Sequence, residues 1–241
     1  MRKHIAWVLF CMITVSMALI GTSIFSHLVT VMIENNPVPR THTIVIDAGH
    51  GGIDGGATSC TGLLESRYNL EISLRLNDFL HLLGYRTTMI RTSDISVYTD
   101  GSTIAAQKRS DLQERVRIVN SSPNAILVSI HQNYFQDSRY SGAVVLYAPT
   151  DGSDILAKAV QGALVETLTP GSKRQAKMED NVYLMKHIQC PGILVECGFL
   201  SHPEEEARLR DPSYQKKLIG VIGCTISGYL SHQKALDSKI A

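Results

Sequence analysis

Along the chain, short unbroken apolar runs alternate with stretches in which apolar residues recur at helical spacing. Ile44-Val45-Ile46 lie in a run from Thr43 to Asp47 that stops at a cluster of glycines, which predicts a buried strand entering a loop. Tyr68, Ile72, Leu76, Phe79, Leu80 and Leu83 share one helical face and end before Gly84, a good C-terminal stop. A strand-length segment follows from Tyr85 to Ile90. A second helix is predicted to begin near Ser110, where Ser110 and Gln113 form a capping box and Leu112, Val116 and Val119 supply the apolar face. After Pro123-Asn124 the pattern predicts a buried strand from Ala125 to Ile130, a strand from Gly142 to Tyr147, and a helix from Ile155 to Leu168. It then predicts a short strand from Asn181 to Met185, a core strand from Gly192 to Val195 ending in Glu196, and a closing helix with Leu218, Val221, Ile222, Ile226 and Tyr229. Strands alternating with helices predict one α/β domain: a twisted, mostly parallel sheet, helices on both faces, and ligands at the carboxyl ends of the strands.

The N-terminus carries a different pattern. Arg2, Lys3 and His4 precede a run from Ile5 to Ile33 without Asp, Glu, Lys or Arg, longer than the roughly 20 residues that span a bilayer. A cationic start before an apolar run reads as a secretory signal, and because apolar residues continue well past Ser16-Met17-Ala18 the expectation is an uncleaved anchor over 1–34. Asn35-Asn36-Pro37-Val38-Pro39 reads as a stiff linker over 35–42. The globular domain is expected over 43–231, with a tail over 232–241, placed extracytoplasmically and membrane-anchored, or secreted if the leader is removed. The chain as a whole, with 44% hydrophobic and 19% charged residues, lies in the ordinary globular range, and a formal net charge of +1 gives no basic field that would argue for nucleic-acid binding through counterion release. The five cysteines are widely spaced and lack CxxC pairs, so they define no disulfide framework; Cys197 is assigned to the core.

Three strand ends carry ionisable side chains: His50, His131 and Glu196. If those strands are neighbours, the groups meet in one crevice, and two imidazoles beside a carboxylate are the ligands of a zinc ion or its base. Glu65, between the glycine-rich loop and the first helix, reads equally as a further ligand or as a carboxylate favoured by the helix dipole. His131 reads nearly equally as a satisfied core histidine. No serine or cysteine nucleophile is required, because a metal-activated water suffices.

Four blocks together resemble a known family. Ile46-Asp47-Ala48-Gly49-His50-Gly51-Gly52-Ile53-Asp54-Gly55-Gly56-Ala57, Gly62-Leu63-Leu64-Glu65, Ser129-Ile130-His131-Gln132-Asn133 and Leu194-Val195-Glu196-Cys197-Gly198-Phe199-Leu200-Ser201 occur in the order found in the zinc N-acetylmuramoyl-L-alanine amidases of type 3. The resemblance spans roughly Thr43 to Tyr229. It implies about six strands, one Zn2+ held by His50, Glu65 and His131, and Glu196 as catalytic carboxylate. It implies hydrolysis of the amide between the lactyl group of N-acetylmuramic acid and L-alanine, with peptidoglycan glycan strands and their stem peptides as substrate. The family usually has Asn where His202 stands, and His202 is expected in a solvated loop. The short catalytic domain with its Gly-Leu-Leu-Glu block is most similar to the family's spore-cortex, germination-specific branch. That likeness implies muramic δ-lactam formation between the spore membranes, with an activating lipoprotein or a muramic acid deacetylase as partner.

Asn133, Arg174 and Lys177 are candidates for substrate contact: the basic cluster Lys173, Arg174 and Lys177 suits stem-peptide carboxylates, and also suits a solvated loop face. Two other readings stay open. A zinc carboxypeptidase acting on wall peptides uses the same ligand types but sets its first His and Glu much closer than His50 and Glu65. A catalytically silent wall scaffold would keep the fold without the chemistry.

Overall fold

The computed structural model describes residues 42–240, with side chains described through 233. The expected anchor and most of the linker lie outside the described residues, among which no helix is long and apolar enough to cross a membrane.

Six strands form one sheet: β1 (Thr43–Ala48), β2 (Arg86–Met89), β3 (Ala125–Asn133), β4 (Val144–Tyr147), β5 (Lys177–Met178) and β6 (Gly192–Phe199), in the order β2-β1-β3-β6-β4-β5. The first four in that order run parallel, while β4 pairs antiparallel with β6. The helices are α1 (Glu65–Leu82), α2 (Ile104–Ser121), α3 (Ser153–Leu168), α4 (Tyr183–His187), α5 (Pro203–Arg210) and α6 (Pro212–Ile240), the last continuing through the expected tail. α1 and α3 each pack against α6 on one face of the sheet; α2 and α4 cover the other. This is the mostly parallel α/β domain expected.

Buried on both faces, β1 needs its uninterrupted β-branched run: every residue from Thr43 to Ala48 is buried. Toward α2 and α4, Val45, Leu127 and Leu194 pack with Val119, Leu184 and Met185. Side chains alternate along a strand, so the same parity that sends Val45, Leu127 and Leu194 into this core sends Asp47, Ser129, His131 and Glu196 to the same face further along. There the core gives way to the site.

Three expectations are corrected. α2 begins six residues before Ser110, capped by Thr103, whose hydroxyl oxygen accepts from the Ala106 N–H at 3.2 Å. Ser110 instead accepts from the N–H groups of Thr99 and Asp100, tying the preceding loop to the helix. The segment Asn181–Met185 is no strand; its core is α4, where the adjacent Leu184 and Met185 are both buried, which a helix allows and strand alternation does not. The sixth strand is β5, two residues paired with Leu146 and Tyr147. Finally, His131 and Glu196 stand inside longer strands than expected, as direct register partners.

Candidate active site

His50 sits just beyond β1 with φ +60, a left-handed conformation that an L residue rarely adopts. It turns the imidazole back over the sheet edge. Two buried arginines hold that turn by the backbone. Arg115 on α2 donates to the carbonyls of Ala48 and His50, and Arg91 donates to those of Ala48, Gly49, Ser66 and Ser93. Arg115 also pairs with Asp47 at 2.5 Å and Asp111 at 2.6 Å. Burial alone would raise the Asp47 carboxyl, but Arg115 and the other partners hold it below the usual range.

Glu65 opens α1 with its carboxylate buried. Oε1 accepts from the N–H of Gln132 and the amide of Asn69, and Oε2 accepts from the N–H of Ala57. Both oxygens face imidazoles: Oε2 lies 3.2 Å from Nε2 of His50, and Oε1 lies 3.0 Å from Nδ1 of His131. Asp54 Oδ2 meets the other nitrogen of His50 at 2.9 Å, and Lys108 meets Oδ1 of Asp54 at 2.9 Å. Burial would lower the His50 pKa, but Glu65 and Asp54 outweigh it and push it up to about 9. Glu65 is driven well below the carboxylate range by both histidines, against the opposing effect of burial.

The donor atoms of His50, Glu65 and His131 all lie within 4.8 Å of one another. Neighbouring donors around a four-coordinate ion with bonds of about 2.0–2.1 Å stand about 3.3 Å apart, so the 3.0 and 3.2 Å spacings suit zinc-sized coordination. Two imidazole nitrogens with one carboxylate are likewise the donor types that zinc accepts, and Asp54 is placed as the outer partner that fixes the His50 tautomer.

Glu196, across from His131 in the sheet, is the fourth group. Its Oε2 is buried without a hydrogen-bond partner, and burial pushes the carboxyl up to about 7, partly offset by the two histidines. His50, His131 and Glu196 line a cleft of about 400 Å³ whose apolar walls come from Ile53 and from Leu112, Val182 and Leu184 of the α2/α4 layer. The four residues expected to act together are therefore brought together. Cys197 points to the opposite face, fully buried, with its thiol pKa raised chiefly by burial. Cys60, Cys190, Cys197 and Cys224 are all free thiols.

Of the substrate-contact candidates, Asn133 ends β3, its carbonyl accepting from the Leu200 N–H. Arg174 and Lys177 stand outside the cleft, in a separate groove beside β4. His202 is the N-cap of α5, its ring accepting from the Glu205 N–H at 3.4 Å. Asp54, Asn69, Arg91, Lys108 and Arg115 went unrecognised in the sequence. Asp54 and Asn69 each follow their partner by one turn's spacing, as Arg115 follows Asp111, a usable signal, but nothing local marks the bonds from the two arginines to the distant carbonyls of Ala48, Gly49 and His50.

Gly49 lies so close to His131 that a Cβ there would come within 2.2 Å of the imidazole ring. Gly49→Ala is expected to displace His131 and abolish metal retention with most activity, at a smaller cost to folding. Metal content after dialysis beside thermal unfolding checks this; full metal content in the variant would contradict it.

Comparison with known proteins places these features. The sequence matches the family described as N-acetylmuramoyl-L-alanine amidase over residues 44–227. It is 33% identical over 242 residues to the germination-specific N-acetylmuramoyl-L-alanine amidase of Bacillus subtilis, covering 97% of this chain and 98% of that one. Among solved structures it resembles the CwlD amidase of Clostridioides difficile in complex with the GerS lipoprotein, with TM-score 0.74, 36% identity, and coverage of 78% of this chain and 98% of that one. It also resembles an N-acetylmuramoyl-L-alanine amidase of Clostridium difficile 630, with TM-score 0.68 and 31% identity over 79% of this chain and 97% of that one.

Proposed function

The chain belongs to the N-acetylmuramoyl-L-alanine amidase family and is a peptidoglycan amidase, and on that premise we propose that it works with one zinc ion held by His50, Glu65 and His131, with Glu196 as the catalytic carboxylate. The observation that carries this reading is the convergence of three donor side chains within 4.8 Å beside a buried carboxylate oxygen that has no partner.

Bound there, zinc would supply a Lewis acid that polarises the lactyl carbonyl and brings the pKa of a water toward about 7. The chain's own residues do the rest. Asp54 takes the Nδ1–H of His50, which leaves Nε2 as a donor lone pair. The two N–H groups on Glu65 and the Asn69 amide fix its carboxylate before any ligand arrives, so little reorganisation remains. Glu196 receives the proton of the attacking water on its free Oε2 and returns it to the departing amine of L-alanine. The apolar walls keep bulk water from the reacting amide.

The likeness to a germination-specific amidase supports a role in the spore cortex, where removal of stem peptides would expose muramic acid for δ-lactam closure after a deacetylase acts. The relative solved with a lipoprotein supports a lipoprotein partner here as well. The N-terminal run of 1–34 supports an extracytoplasmic domain tethered to a membrane through the 35–42 linker, with the catalytic domain over 43–231. Asn133, beside the Glu196 strand, is proposed to contact the substrate.

The full-length chain, loaded with zinc and given peptidoglycan, is expected to release intact stem peptides by mass. His131→Ala is expected to lose both zinc and release. Release of a terminal amino acid instead would indicate a carboxypeptidase, and a zinc-loaded wild type without product, with or without a lipoprotein partner, would indicate a scaffold.

A further inference from the structure

One strand beyond the catalytic carboxylate lies a second groove, of about 460 Å³, lined by Tyr140, Val144, Lys173, Arg174, Gln175 and Lys177. Val144 is the register partner of Glu196 across the antiparallel β4–β6 pair. Directly opposed residues project from the same face of a sheet about 5 Å apart, so this groove lies beside the cleft on the same face of the sheet.

Its chemistry differs from that of the cleft. Among the described residues, Lys173, Arg174 and Lys177 form no ion pair. Three carboxylates of neighbouring segments are engaged elsewhere: Asp137 with Arg139, Glu179 with the N–H groups of Asn181 and Val182, and Glu205 with those of Gly142 and Phe199. Three cations without an ion-pair partner among the described residues therefore face one groove in a chain whose formal net charge is only +1.

Arg174 is also held in place. Its Nε donates to the Ser141 carbonyl at 2.8 Å, and its guanidinium lies 5.0 Å from the centroid of the Phe199 ring. Gly142, with φ +91, leaves room for it, since a Cβ there would stand 3.2 Å from Nε. The terminal nitrogens make no hydrogen bond among the described residues, and so present a fixed fork suited to a carboxylate. The half-exposed Tyr140 and Phe135, in edge contact at 4.8 Å, form an apolar wall nearby.

We propose that this groove is the subsite for the carboxylates of the stem peptide on the leaving side of the scissile amide, with Arg174 as its fixed anchor and Lys173 and Lys177 as flanking cations. This deepens the amidase reading and rests on it. Glu196 hands its proton to the leaving amine, so the departing peptide must start beside Glu196, and the groove is the next feature along that face. The fixed cations of the cleft are already paired, Arg115 with Asp47 and Asp111 and Lys108 with Asp54, whereas those of the groove have no ion-pair partner among the described residues and attract the peptide's acidic groups.

The test uses the full-length, zinc-loaded chain and two soluble muramoyl-peptides, one with free stem carboxylates and one with those groups amidated. The double variant Arg174→Glu/Lys177→Glu is expected to raise KM for the free-carboxylate substrate by about tenfold, the scale of losing one charge-assisted contact, with kcat nearly unchanged. KM for the amidated substrate should barely move, and Arg174→Lys should restore part of the loss. Equal KM increases on both substrates, or none on either, would overturn the subsite. So would unchanged KM together with loss of binding to an acidic partner protein, which would make the groove a protein interface. Calorimetric binding of the two free stem peptides to wild type and variant reads the groove without turnover, so a failure of the amidase reading, seen in wild type alone, stays distinguishable from a failure of this one.

Discussion

Replacing Glu196 by Gln is expected to lower kcat by about 10³-fold, the scale of one positioned proton-transfer group, while leaving the fold and the bound metal in place. The reason lies in where the group stands. Glu196 is the register partner of His131, yet makes no hydrogen bond through Oε2 and is not one of the three grouped donors. Gln keeps its volume and its place on β6, so metal content and unfolding midpoint should match wild type. What is lost is the ability to take a proton. Burial pushes the Glu196 carboxyl up to about 7, and a cation seated beside it would pull that value down. The wild-type profile of kcat/KM against pH should therefore show an acid limb below about pH 7, falling as Glu196 takes up a proton, and this limb should vanish from the residual rate of the variant. A variant that retains wild-type kcat, or one that keeps the same acid limb, would remove Glu196 from proton transfer.

Much of this site was legible in the sequence because its residues sit where regular structure changes. Ile44-Val45-Ile46 marked β1, and the glycines after it marked the turn that carries His50. Ala125 to Ile130 and Gly192 to Val195 marked the strands that carry His131 and Glu196. The chain spends its apolar residues on those strands, so their pattern is strong. Signals failed where the fold relies on something other than an apolar stripe. Residues 104–109 of α2 are mostly exposed, and the whole helix buries only Arg115 and Val119, so its true start at the Thr103 cap was masked by a false one at Ser110. Val182 and Leu184 alternate like a strand, and only the burial of Met185 beside Leu184 reveals the helical turn. Residues 203–210 carry Glu204, Arg208 and Arg210 on exposed positions and no apolar stripe, yet Glu205 and Glu206 are buried, accepting from the Gly142 N–H and from the Thr61 and Tyr68 hydroxyls, which no local pattern discloses. The same holds for Arg91 and Arg115. A buried arginine is recognised by what surrounds it, and its surroundings come from β1 and the loops beyond it.

Arg115→Met is expected to cost about 3–5 kcal/mol of folding stability at pH 7, the largest loss foreseen for any single change beneath the site, and to weaken metal retention with it. The methionine fills much of the space but leaves the Asp47 carboxylate buried with only Ser129 as a hydrogen-bond partner, and frees the carbonyl of His50, while that of Ala48 keeps only Arg91. With the His50 carbonyl released, the left-handed turn at φ +60 loses one of its fixings, so the imidazole should wander from Glu65. The pH dependence separates this account from simple loss of packing. In wild type the Asp47 carboxyl is held below its unfolded value of about 3.9, so the pair contributes stability that is present above that pH and lost as the pH falls further. In the variant the sign reverses. Burial, no longer outweighed by Arg115, raises the carboxyl above its unfolded value, so protonation on acidification relieves the cost of burying it. Urea unfolding of the two proteins should thus show a gap that is widest near pH 7 and narrows toward pH 4. Asp47→Asn in the Arg115→Met background should recover part of the loss at pH 7, because it removes the uncompensated charge. A gap of constant size between pH 7 and pH 4, with no recovery in the double variant, would mean that Arg115 acts through its bulk alone and that its charge does not hold the β1 turn.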